Sequence, residues 1–121
     1  QKEISLNSIS GNNYGMYLIN SKKDAILANT IENNYIGLFL NDVRQEEIRF
    51  NNFIENTQHC QFTKTSQTTF DSNYWDNWIG LRFNRHLPIP KLINGFHDRN
   101  LNIRSQFKID FHPSSEPYIS Q

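Results

Sequence analysis

The sequence predicts an all-β fold: a right-handed single-stranded parallel β-helix of coils about 22 residues long, followed by an irregular C-terminal cap. Three observations predict it. Asparagine recurs at Asn7, Asn29, Asn51 and Asn73, each 22 residues from the last. The apolar residues around it repeat with the same step. Within one period the apolar positions alternate as they do in strands, and residues 1–80 hold no sustained three-and-four spacing of the kind a helix buries.

The columns follow in chain order. Ile4, Ile26, Ile48 and Phe70 stand three residues before the asparagines, and Ile9, Ile31, Phe53 and Trp75 stand two after them. Asn12, Asn34 and Asn56 come next, then Gly15 and Gly37, then Met16, Leu38 and Cys60, and finally Leu18, Leu40 and Phe62. Two alternating segments per period give each coil at least two short strands. The coils run near 4–25, 26–47, 48–69 and 70–80. A single coil cannot bury its inward side chains, but stacking at the strand spacing of about 4.8 Å lines like residues into columns, and the aliphatic columns become the core. Identical amides at that spacing donate each to the next, so Asn7, Asn29, Asn51 and Asn73 are expected to form a structural ladder at an interior turn. A leucine-rich-repeat horseshoe shares the period range, but the helical half of such a repeat is missing.

After residue 80 the period fails, and Pro88, Pro90, Pro113 and Pro117 all fall there. Residues 81–121 remain rich in apolar groups such as Leu92, Ile93, Phe96, Ile103 and Tyr118, too many for a disordered tail. They are expected to fold over the last coil, with Trp75 and Trp78 plugging its cross-section, because an open coil end exposes unpaired backbone groups and apolar surface. Phe107, Ile109 and Phe111 alternate as one strand, which either adds to the sheet or packs across the end. At the other end Ile4 enters the first column almost at once, which leaves no N-terminal cap. Either further coils precede it or another subunit covers that face, and a homo-oligomer through the N-terminal coil follows from the second option. The chain opens on Gln1 and carries no leader sequence, so it reads as a processed product or a piece of a longer protein.

Composition narrows the partners. Lys and Arg total 12 against 12 Asp and Glu, so no broad field draws the chain to nucleic acid or anionic lipid. No apolar run approaches the roughly 18 residues of a membrane span. Cys60 is the one cysteine, which excludes an intrachain disulfide and a multi-cysteine metal cage.

The repeat, the stretch Asn73-Tyr74-Trp75-Asp76-Asn77-Trp78-Ile79-Gly80, the later Pro90-Lys91-Leu92-Ile93-Asn94-Gly95, and Asp110-Phe111-His112-Pro113 through Glu116-Pro117-Tyr118 carry a resemblance. Together they resemble the C-terminal end of archaeal and bacterial NosD-like parallel β-helix proteins, over nearly the whole chain. The family's closing motif is matched by Asn73, Tyr74, Trp75, Asp76 and Trp78. The resemblance implies a β-helix in an extracellular, cell-surface or periplasmic setting. It implies no catalytic residue, since such repeats serve copper-maturation accessory proteins, surface proteins and carbohydrate-active proteins alike. Two departures, His59 where earlier coils have Gly15 and Gly37, and Ser72 where glycine is usual, are expected to alter the local turns.

The candidate sites are few. Asp24 and Glu46 stack one period apart beside Glu47. They read as a solvated turn neutralised by Lys22, Lys23 and Arg44, or as a contact for a cation or sugar. Met16 and Cys60 share an inward column. His59 is placed outward beside Cys60 as a weak metal candidate, and His86, His97 and His112 lie at no recognised metal spacing. No cofactor is expected. Tyr14 and Tyr35, 21 residues apart, form either an exposed sugar-stacking patch or a shield beside the glycine turns. These features predict a non-enzymatic module that binds glycan or a protein partner and terminates the solenoid. The alternatives are the C-terminal fragment of a polysaccharide-active β-helix enzyme, which would need paired carboxylates on one face, and a self-assembling subunit.

Overall fold

The computed structural model describes residues 2–77, 91–94 and 107–119. The described residues contain strands and turns and no helix. The first coil holds β1 (Glu3–Ser5), β2 (Ser8–Ser10) and β3 (Tyr14–Ile19). The second holds β4 (Ala25–Leu27), β5 (Thr30–Glu32) and β6 (Ile36–Arg44), and the third β7 (Glu47–Arg49), β8 (Asn52–Ile54) and β9 (Gln58–Ser66). A fourth begins with β10 (Thr69–Asp71) and β11 (Tyr74–Trp75), and β12 (Lys91–Asn94) and β13 (Phe107–Asp110) follow.

Every coil-to-coil pairing is parallel, and the register is the sequence period. Ile4 lies opposite Ile26, Ile26 opposite Ile48, and Ile48 opposite Phe70. Ile9, Ile31, Phe53 and Trp75 form the second column, and Met16, Leu38 and Cys60 part of the third wall. Three sheets result, ordered β1-β4-β7-β10-β13-β12, β2-β5-β8-β11 and β3-β6-β9. Their inward faces make one core in which Ile26, Ile31, Leu38, Leu40, Val43, Ile48, Phe53, Cys60 and Phe62 are fully buried.

Each complete coil has three strands because the asparagine splits the first alternating segment. Leu6, Ala28, Phe50 and Ser72, each just before a ladder asparagine, have left-handed backbones with φ of 59°, 57°, 60° and 61°. That conformation costs a non-glycine residue about 1–2 kcal/mol. It reverses the in-and-out alternation and swings the chain from one sheet to the next. Ser72 turns as the other three do, so no altered geometry appears there. Gly11, Asn33 and Glu55 make a second left-handed corner, before Asn12, Asn34 and Asn56. Lys23, Gln45 and Gln67 make a third, before Asp24, Glu46 and Thr68.

Glycine at positions 15 and 37 answers to close approach. A Cβ on Gly15 would sit 2.7 Å from the Gly37 carbonyl oxygen, and one on Gly37 would sit 2.6 Å from that of His59. Both would also crowd the ladder amide of the following coil, Asn34 and Asn56 respectively.

Beyond the fourth coil, β13 extends the first sheet. It pairs in parallel with β10 at Phe70 and Asp110 and antiparallel with β12. The strand read from Phe107, Ile109 and Phe111 therefore adds to the sheet. Its register turns Asp110 into the interior and leaves Ile109 and Phe111 exposed. Trp75 is buried and stacks on Phe53 with ring centroids 4.2 Å apart. Trp78 and residues 79–90 lie outside the described residues.

Candidate functional site

The three corners share one device: a side chain just past the turn accepts the backbone N–H of the coil before it. At the first corner Asn7, Asn29 and Asn51 each donate their backbone N–H to the Oδ1 of the asparagine 22 residues on, at 3.0, 2.9 and 3.0 Å. Their Nδ2 groups donate to the same oxygens. At the second corner Asn12 and Asn34 do likewise toward Asn34 and Asn56. The second column was visible as a repeat, and only its hydrogen bonding required coordinates.

At the third corner carboxylates stand in the amide positions. Lys2 N–H donates to Asp24 Oδ1 at 3.0 Å, and Asp24 N–H to Glu46 Oε2 at 3.2 Å. The pair stacks as expected from the period, but Asp24 is 5% and Glu46 1% exposed, which corrects the reading as a solvated turn. The cause is the left-handed residue before each, which points the acid inward as it points the asparagines inward. Among the described residues neither acid pairs with Lys22, Lys23 or Arg44, while Glu47 faces out to Arg49 at 2.9 Å. Glu46 Oε1 has no hydrogen-bond partner among them.

Burial, and next the charge of Asp24, push Glu46 from the ordinary 4.5 up to about 7. Folding thus favours the protonated acid. Its contribution is fully present below about pH 4.5 and is lost as pH rises through 7. The shift corresponds to about 3 kcal/mol. Urea unfolding is expected to give a midpoint that falls between pH 4.5 and 8, and Glu46→Gln is expected to flatten that slope. An identical pH profile in the variant would show that Glu46 is not the titrating group.

His59 faces inward, contrary to the outward placement expected of it. Its ring lies 6.0 Å from that of Phe53 and 5.9 Å from that of Trp75. The ladder assigns its tautomer. Asn56 Oδ1 accepts from Asn34 and Asn56 Nδ2 donates to the Ile31 carbonyl, so the amide orientation is set and Nδ2 also faces His59 Nδ1 at 3.0 Å. Nδ1 must accept, Nε2 carries the proton, and that proton points at Asp76 Oδ1, 2.7 Å away. The other Asp76 oxygen accepts the Glu55 N–H. Both ring nitrogens are engaged, which removes His59 as a free metal ligand. Met16 and Cys60 lie in the core, and His112, exposed, meets Asp71 at 2.8 Å. His86 and His97 lie outside the described residues.

The exposed aromatic surface is on the third sheet and differs from the pair read from sequence. Tyr14 stands opposite Ile36, so Tyr35 falls at the preceding turn, where its N–H donates to the Asn12 carbonyl. The 21-residue separation is one short of the coil, and the two tyrosines do not stack. Tyr14 instead packs edge-on against Tyr17 at 5.3 Å and Phe39 at 5.4 Å. Tyr17 and Phe39, opposite each other, stack at 4.6 Å and 18°. Their 22-residue spacing is the sequence signal for this pair, masked by the core columns on either side of it. Gln61 follows Phe39 in register, with its Nε2 3.4 Å from Gln58 Oε1.

A family model described as periplasmic copper-binding protein (NosD) matches residues 1–83. No curated protein and no solved structure matches the chain.

Proposed function

The chain belongs to the NosD family, and from that premise we propose that it is a non-enzymatic β-helix module of the periplasm or cell exterior that binds glycan on its third sheet. The segment after the fourth coil terminates the solenoid. The observation that carries the glycan reading is the exposed pair Tyr14 and Tyr17, 44% and 50% exposed and backed by the buried ring of Phe39, on the same sheet as the amides of Gln58 and Gln61. A flat ring covers the apolar face of a pyranose, and neighbouring amides bond its hydroxyls.

Binding is favoured over catalysis because the stacked carboxylates, Asp24 and Glu46, are closed to a substrate. The described residues do not fit a copper centre either. Among them no three His, Cys, Asp or Glu side chains gather as a metal would need, and the imidazole of His59 is consumed by Asn56 and Asp76. No helix among the described residues is long and apolar enough to cross a membrane.

A glycan array followed by calorimetry on the retained sugar tests the reading. Tyr17→Ala is expected to weaken that sugar by on the order of tenfold, the loss of one stacking ring worth about 1 kcal/mol or more. Unchanged affinity in that variant would exclude the third sheet as the binding face.

A further inference from the structure

The corner beside β8 holds the C-terminal segment by its backbone. Ser114 N–H donates to the Asn73 carbonyl at 2.8 Å, and Ser114 bridges Tyr74 in parallel. Four residues on, Asn52 takes both backbone groups of one residue. Tyr118 N–H donates to Asn52 Oδ1 at 2.7 Å, and Asn52 Nδ2 donates to the Tyr118 carbonyl at 2.9 Å. A side-chain amide here reproduces the two-bond exchange of a strand pair, and it reads an extended backbone without regard to the side chain. The Tyr118 ring meets that of Phe50 edge-on at 5.9 Å, and its hydroxyl donates to the Ser72 carbonyl at 2.6 Å.

Past Asn52 the corner continues toward the first coil as a groove of about 190 Å³. The column Leu6, Ala28, Phe50 and the column Ser8, Thr30, Asn52 line it, the chain's own Tyr118 and Ile119 close one end, and none of its lining residues is charged. Leu6 and Phe50 are exposed hydrophobics at its wall. From Asn52 to Ser8 is two coil steps, about 10 Å, the reach of about three extended residues.

We propose that this groove docks an extended, uncharged stretch of another polypeptide, continuing the path of the chain's own C-terminal segment. Continuity with that interface supplies the geometry. The Thr30 and Ser8 hydroxyls hold the place of Asn52 one and two coils back. The Thr30 hydroxyl already accepts from Asn52 Nδ2 at 3.2 Å and keeps its own proton to donate to a peptide carbonyl, and Leu6 with Phe50 receives one apolar side chain. A charged side chain would lose its hydration and gain no partner. The groove lies on a different corner from the aromatic face of the third sheet, so the two sites stand or fall separately.

A phage-displayed random dodecapeptide library, selected on the whole chain, tests the proposal. Clones poor in charged residues are expected, with retention falling on the order of tenfold on both Thr30→Arg and Ser8→Arg. Far-UV circular dichroism confirms that each variant is folded, and Ser8, already exposed, keeps the test alive should Thr30→Arg misfold. An empty selection, or clones held equally by the variants, overturns it. So does binding confined to a chain ending at Tyr118, which would make the chain's own last residues the occupant.

Discussion

Asp110→Ala is expected to abolish cooperative folding or to lower stability by more than about 5 kcal/mol. Asp110 is fully buried, and its carboxylate ends the first ladder in place of a further asparagine. Oδ2 accepts from Asn73 N–H at 3.0 Å, from Asn73 Nδ2 at 3.1 Å and from Trp75 Nε1 at 3.0 Å. Oδ1 accepts from Ser72 N–H at 3.1 Å and from His112 N–H at 3.0 Å. Alanine would strand these donors in the interior, at about 1–3 kcal/mol for each that water does not reach. A small domain has only about 5–15 kcal/mol of net stability to lose. Asp110→Asn, which keeps one acceptor oxygen but turns an NH₂ group toward other donors, should fall between. Urea unfolding at neutral pH reads both. A wild-type midpoint for Asp110→Ala would mean that β13 does not seat on β10 in solution.

Ile31→Asp is expected to unfold the chain outright. Ile31 is fully buried between Ile9 and Phe53 in the second column. An unpaired carboxylate there either stays charged at a cost of several kcal/mol or takes up a proton at a comparable one. Deleting a methyl group at the same place, Ile31→Val, should cost only about 1 kcal/mol. The contrast separates burial of charge from loss of packing. A thermal midpoint near wild type for Ile31→Asp would show that this position does not face an interior.

The two residues differ in how they could have been found. Ile31 belongs to a column that repeats, and anything that repeats in a stacked fold is legible, since each coil supplies the same environment. Asp110 repeats nothing. Its strand presents Ile109 and Phe111 as the apolar side, and an alternation rule turns Asp110 outward. The opposite occurs because the last ladder asparagine, the Ser72 N–H and the Trp75 indole need an acceptor more than two apolar side chains need burial. Asp24 and Glu46 were visible as a column but misplaced, because acids are ordinarily assigned to solvent. The left-handed residue before each reverses that assignment, and Lys23 and Gln45 carry no glycine or asparagine that would mark such a turn.

The period by itself determined that this chain stacks in parallel coils and which residues lie above one another. It could do so because a step shared by Ile, Asn and Gly columns has one physical cause, the return of the backbone to the same place one strand spacing higher. Only the tertiary structure decided where the side chains point once the chain turns: Glu46 inward, His59 into the core against Asp76, Tyr17 rather than Tyr35 beside Tyr14, and Asp110 beneath the last coil. Those directions depend on corner backbone angles and on which buried donors lack partners, and neither quantity is local in sequence.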